Sequence, residues 1–379
     1  MVKFFKPVFS CILLIILAGF DMPEEPKQPL NFRGFITDFT LLEYGIMVME
    51  HHNGVLWAVT SPPFTNSFQA NLRVLTKSYD RGYTWQEVYT FTNPIDTIYA
   101  DERGNIFVAT TLDRGSPQGT GELFKSSDGG AAFRKVLDII SGAPYHWNIA
   151  GRDGIMFVSE YGYKGHGDNA RRIYRSSDFG ETWEIVYEPP PKYNYHNHKI
   201  IFAGDYVYQS VGDRPHNKII RSGDMGNTWQ LAVDGIHPTS AVVIDTHILW
   251  GLDSGGLHTG GIARYNRVTG EIDSFWFPPY PFTGSSYGMA IADGIVYVIF
   301  LSYFFDSHPA SIFFSADKGE SWELLGYIEK KPREGIGLWA LTLDDKFGYI
   351  EIQTPVQFDD EERKARFRGT LRFRLIKDE

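Results

Sequence analysis

At 379 residues, 43% of them hydrophobic and 15% aromatic, the chain can bury a large core, and its 38 glycines and 20 prolines suit many short strands joined by turns. A formal net charge of -10, with no basic stripe, argues against nucleic acid as a partner. The single cysteine, Cys11, excludes a disulfide framework within the chain.

The N-terminus reads as a targeting segment. Lys3 and Lys6 supply a positive start, Pro7 to Phe20 is apolar and uncharged, and Asp21, Glu24 and Glu25 open a polar stretch. Fourteen apolar residues are short for a bilayer span, so residues 1–20 are expected to be a signal peptide or a signal anchor, with residues 7–20 as the membrane tether in the second case. Residues 21–30 form a linker, and 31–379 the folded domain. Either reading makes the protein secreted or membrane-anchored, and extracytoplasmic.

Beyond the linker the chain repeats one phrase, Ser-x-Asp-x-Gly-x-x-Trp. Copies run from Ser78 to Trp85, Ser126 to Phe133, Ser176 to Trp183, Ser222 to Trp229 and Ser315 to Trp322. Their aspartates, Asp80, Asp128, Asp178, Asp224 and Asp317, lie 48, 50, 46 and 93 residues apart, so a decayed copy is expected near residue 270, at Asn266 to Gly270. In each copy Ser and Asp accept bonds from a tight turn, Gly supplies a positive φ, and the aromatic residue opens the next strand as a buried anchor. A strand-built period of this length predicts a propeller.

The expected strands then fall into sets of four, beginning near Gly45, Asp96, Trp147, Lys199, Ala241 and Tyr287. A seventh set has three strands, Leu338 to Leu343, Tyr349 to Gln353 and Thr370 to Leu375. Its fourth is expected from Asn31 to Thr37, closing the ring and removing an exposed edge. The fold class is therefore an all-β, seven-bladed β-propeller of four-stranded blades, closed by an N-terminal strand.

The repeated phrase resembles the Asp-box, or BNR, repeat of the sialidase-like propeller superfamily, and the likeness runs over most of the chain. In that family the boxes are structural and lie away from the catalytic face. A true sialidase also needs three arginines for a carboxylate and a Phe-Arg-Ile-Pro motif. Phe32-Arg33-Gly34-Phe35 keeps only Phe-Arg, which makes sialidase activity unlikely on the sequence alone. Propellers of the same size that cleave uronate polysaccharides by elimination use His with Tyr or Arg, a pattern compatible with the blade-four residues.

With the repeated turns at one end, the other end carries the connections into each inner strand, and polar side chains collect there. His196 and His198 enter blade four, two residues apart and on one side of a strand. Asp213 and Arg214 end its second strand; Glu160 and Tyr161 do the same in blade three, and Asp253 in blade five. His146 precedes the inner strand of blade three, and His237 that of blade five. The candidate catalytic set is His196, His198, Asp213 and Glu160, with Tyr161, Arg214, Asp253 and His146 as substrate contacts. No cofactor is specified, although His196 and His198 could hold a divalent metal. The expected partner is a glycan or polysaccharide, met over blades three to five by a hydrolase or lyase. The alternative is a non-catalytic propeller that binds a glycan or a protein through aromatic residues of the same face.

Overall fold

The computed structural model describes residues 32–34, 39–42, 45–61, 71–112, 120–139, 148–160, 172–188, 196–212, 216–253, 260–301, 308–329, 337–354 and 367–376. The expected targeting segment and linker lie outside them. Among the described residues no helix is long and apolar enough to cross a membrane.

Two short strands, β1 (Phe32–Gly34) and β2 (Phe39–Leu42), precede the first blade. Blade one is β3 (Gly45–His52), β4 (Val55–Ser61), β5 (Val74–Ser78) and β6 (Gln86–Thr90); blade two is β7 (Ile95–Ala100), β8 (Ile106–Leu112), β9 (Thr120–Ser126) and β10 (Arg134–Ile139). Blade three is β11 (Asn148–Arg152), β12 (Ile155–Ser159), β13 (Ile173–Ser176) and β14 (Glu184–Tyr187). Blade four is β15 (Asn197–Ala203), β16 (Tyr206–Val211), β17 (Lys218–Ser222) and β18 (Gln230–Asp234). Blade five is β19 (Pro238–Ile244), β20 (His247–Leu252), β21 (Ile262–Asn266) and β22 (Glu271–Trp276); blade six is β23 (Ser285–Ala292), β24 (Ile295–Leu301), β25 (Ala310–Ser315) and β26 (Glu323–Ile328). Blade seven takes β27 (Gly337–Leu343), β28 (Phe347–Thr354) and β29 (Phe367–Arg374). Every pairing is antiparallel, and the fold is a seven-bladed propeller.

The first strand of each blade lies beside the first strand of the next, from β3 through β7, β11, β15, β19 and β23 to β27, which returns to β3. These inner strands line a central channel. Two-residue hairpins lead from several of them to the second strand: Asn53-Gly54, Asp153-Gly154 and Asp293-Gly294 all take positive φ at both positions, the conformation whose twist matches that of the flanking strands.

The N-terminal strands sit differently from the expectation. Phe32–Gly34, inside the segment expected to complete blade seven, instead pairs with β26 as a fifth strand on blade six. Blade seven takes its outer strand from β2, where Phe39 pairs with Phe373 and Leu42 with Thr370. Leu42 is buried and packs with Leu56, Ala58 and Tyr349. Burial of Leu42 therefore helps to seat β2 on the edge of blade seven.

Within the repeated turn, Ser222 Oγ accepts from the Gly226 amide at 2.7 Å and donates to Asp224 Oδ1 at 2.7 Å, while the Asp224 carboxylate accepts from the Thr228 amide and hydroxyl. The Thr228 and Ser222 bonds hold the Asp224 carboxyl down at about 2. The same Ser–Asp–Gly bonds recur at Ser78, Ser126, Ser176 and Ser315. In the decayed copy Asn266 Oδ1 takes over, accepting from the amides of Val268 and Thr269, and Gly270 keeps its positive φ. One expectation fails here: Trp85, Trp183, Trp229 and Trp322 are half-buried, not buried. Each packs against the margin of a buried apolar cluster, and three of them donate the indole N–H back to the turn glycine's carbonyl.

The turn also joins neighbouring blades. A Cβ on Gly180 would fall 2.4 Å from Phe107 of blade two, and one on Gly226 would fall 2.9 Å from Phe157 of blade three, so the glycine backbone rests on the second strand of the preceding blade. A basic residue just before the serine completes the contact. Lys125 donates to the Phe179 carbonyl at 2.7 Å and Arg175 to the Met225 carbonyl at 2.6 Å, each reaching the turn of the next blade. The apolar core is accordingly layered between blades: Phe107, Ala109 and Leu123 of blade two pack on Ile149, Met156, Val158 and Tyr174 of blade three.

Candidate functional site

At the end of the channel opposite the repeated turns, the inner strands of blades four and five begin side by side. His196 precedes β15, His198 lies within it, and His237 precedes β19. The backbone fixes both entry points alike: the Gly212 amide donates to the His196 carbonyl at 2.8 Å, and the Asp253 amide to the His237 carbonyl at 2.9 Å. His196 and His237 are thus equivalent residues of successive blades.

Their side chains meet. His196 Nε2 lies 2.8 Å from His198 Nε2, which lies 3.0 Å from His237 Nε2. His196 is buried, and the other two are half-buried. No side chain separates the rings from β16, because residue 212 is glycine; a Cβ there would fall 2.3 Å from His198 Nε2 and 2.5 Å from His237 Nε2.

The other candidate residues divide. Asp253 lies at the same end, where its carboxylate accepts from Ser285 Oγ at 2.6 Å and the Tyr287 hydroxyl at 3.1 Å, tying blade five to the inner strand of blade six. Glu160 is fully buried within blade three. Its oxygens accept from the Tyr174 hydroxyl at 2.7 Å and the Arg172 amide at 2.9 Å. Burial pushes its pKa up to about 7 against these two donors. Asp213, Arg214, Tyr161 and His146 lie outside the described residues.

Glu50 of β3 and Lys199 of β15 lie on the inner strands of blades one and four, which are not neighbours in the ring, yet each feels the other's charge. Burial raises the Glu50 carboxyl to about 8 with Lys199 opposing the rise, and burial lowers the Lys199 ammonium. In the sequence Glu50 reads as an ordinary strand residue, and nothing local pairs it with Lys199. His237 precedes blade five, and aligning the entries to blades four and five places it at the position of His196.

The histidine cluster offers three imidazoles that can exchange protons, accept from a ligand hydroxyl, or ligate an ion. The inner-strand starts hold them on rigid backbone, which suits precise positioning.

No family model matches the chain. It is 30% identical over 244 residues to a xyloglucanase of Paenibacillus sp and 28% identical over 203 residues to a xyloglucanase of Hypocrea jecorina (strain QM6a). These matches take in 56% and 45% of this chain but only 22% and 23% of those proteins, so the chain matches less than a quarter of their length. Among solved structures, the GH74 enzyme of Niastella koreensis superposes with a TM-score of 0.59 at 14% identity, over 83% of this chain and 52% of that one. YCF48 bound to D1 peptide superposes with a TM-score of 0.55 at 13% identity, over 94% and 98% of the two chains. Both share the propeller fold.

Proposed function

We propose that the chain is an Asp-box propeller, secreted or membrane-tethered, that acts on a polysaccharide at the channel mouth over blades three to five. The observation that carries this reading is the sequence likeness to two xyloglucanases, which runs over about half of the chain. In this reading His196 and His198 contact the sugar, and one of them serves as acid or base beside Asp213. Asp253 positions the rim through Ser285 and Tyr287. Tyr161, Arg214 and His146 supply flanking contacts. Glu160, enclosed by Tyr174 and Arg172, supports the wall of blade three as a positioning residue.

Non-catalytic glycan binding is the second reading, and one observation favours it: the candidate carboxylates among the described residues are engaged by neighbours, Glu160 by Tyr174 and Arg172 and Asp253 by Ser285 and Tyr287. A single assay pair separates the two. The purified chain is incubated with xyloglucan, other β-glucans and uronate polymers, with products read by chromatography, and is applied in parallel to a glycan array. Products that disappear in His198→Ala and Asp213→Asn support the enzyme. Retention without products supports the binder, and neither products nor retention would sink both.

A further inference from the structure

We propose that His196, His198 and His237 bind one divalent transition-metal ion, zinc in the first instance, through their three Nε2 atoms at the mouth of the channel. Three independent features lead there. The first is convergence: two contacts of 2.8 and 3.0 Å bring together the same nitrogen of three rings drawn from two blades. Without an ion, His198 Nε2 has one lone pair or one N–H and must share it between His196 and His237. With an ion, each of the three nitrogens offers its lone pair to a shared centre. A tetrahedral ion with Zn–N bonds of about 2.0–2.1 Å holds its donors about 3.3 Å apart, a few tenths of an ångström wider than the spacing here.

The second feature is close packing. A Cβ on Gly212 would stand 2.3 and 2.5 Å from two of the nitrogens, so only glycine lets the two rings close on the backbone here. Gly212 does not take a positive φ, hence the backbone conformation does not demand glycine. Close approach of the two imidazoles is what this residue permits.

The third feature is donor chemistry. The cluster is all imidazole, and the carboxylate of Asp253, at this end of blade five, is turned to Ser285 and Tyr287. Imidazole nitrogens select zinc, nickel, copper and cobalt over calcium and magnesium, which need oxygen. Three protein donors leave a fourth position for water or a ligand hydroxyl.

The inference replaces the acid or base role given above to His196 and His198, because a ligated Nε2 has no lone pair left to exchange a proton, and its test needs no carbohydrate. The full chain, freed of metal with a chelator, is titrated with Zn²⁺ by calorimetry and with Co²⁺ by visible absorption, whose intensity reports the coordination geometry. One ion per chain and an intense Co²⁺ spectrum are expected. His198→Ala and His237→Ala should each weaken binding by more than the roughly 10–100-fold that outer-shell partners cost. Gly212→Ala should weaken it comparably while keeping all three ligands, and His247→Ala, at the opposite end, should leave it unchanged. Far-UV circular dichroism confirms folding, and His237→Gln replaces any alanine variant that does not fold. Absence of stoichiometric binding, or binding that survives both His237→Ala and Gly212→Ala, would overturn the site and leave a hydrogen-bonded histidine trio.

Discussion

Glu160 gives the most discriminating test of how the fold handles a buried charge. Its carboxyl is fully enclosed, and burial outweighs two hydrogen-bond donors to bring its pKa to about 7 from an ordinary 4.5. Between these values the folded protein keeps a proton that the unfolded chain has released. The folded state therefore binds more protons in that window, and stability must fall as pH rises from about 4.5 to about 7, then level off. The gap of about 2.5 in pKa corresponds, at 1.36 kcal/mol per unit, to about 3 kcal/mol as an order of magnitude. Glu160→Gln keeps the volume and removes the titration. Urea denaturation of both proteins at several pH values from 4.5 to 8 yields a difference curve in which carboxylates common to both cancel. The wild type should lose about 3 kcal/mol relative to the variant across the window and nothing further above it. A difference independent of pH would refute the reasoning: Tyr174 and Arg172 would then be holding an ionised carboxylate in the core.

Ser222→Ala removes a buried hydroxyl that serves the Gly226 amide and Asp224, so chemical denaturation should register a loss of about 1–3 kcal/mol; an unchanged midpoint would mean that the turn holds without its serine. Lys125→Met should cost about 2 kcal/mol by breaking the bonds from blade two to Phe179 and Glu181, and a melting temperature equal to wild type would show that this clamp is idle. Removing residues through 38 strips only the fifth strand of blade six, whereas removal through 43 also takes β2 and bares β29. The shorter truncation should stay monodisperse in size-exclusion chromatography and the longer one aggregate, with equal behaviour counting against β2 as the closing strand.

What the sequence determined by itself is local. Eight contiguous residues carry the whole hydrogen-bond pattern of the turn, so its copies, spacing and even the decayed one at Asn266 were legible, and from them the blade count. The two-residue separation of His196 and His198 likewise told that they share a side of one strand. A further local signal marks the turn: Lys77, Lys125, Arg175 and Arg221 precede the serine in four of its five copies. Only the tertiary structure decided what crosses between blades. Packing of successive blades brings His237 to His198 across 39 residues, and the ring sets Glu50 within electrostatic reach of Lys199. It also sends β1 to blade six and β2 to blade seven, where Leu42 fills an apolar seat, and it leaves the turn tryptophans half-buried. Turn chemistry is a property of neighbours in the chain, whereas these contacts depend on which inner strands the closed ring sets side by side.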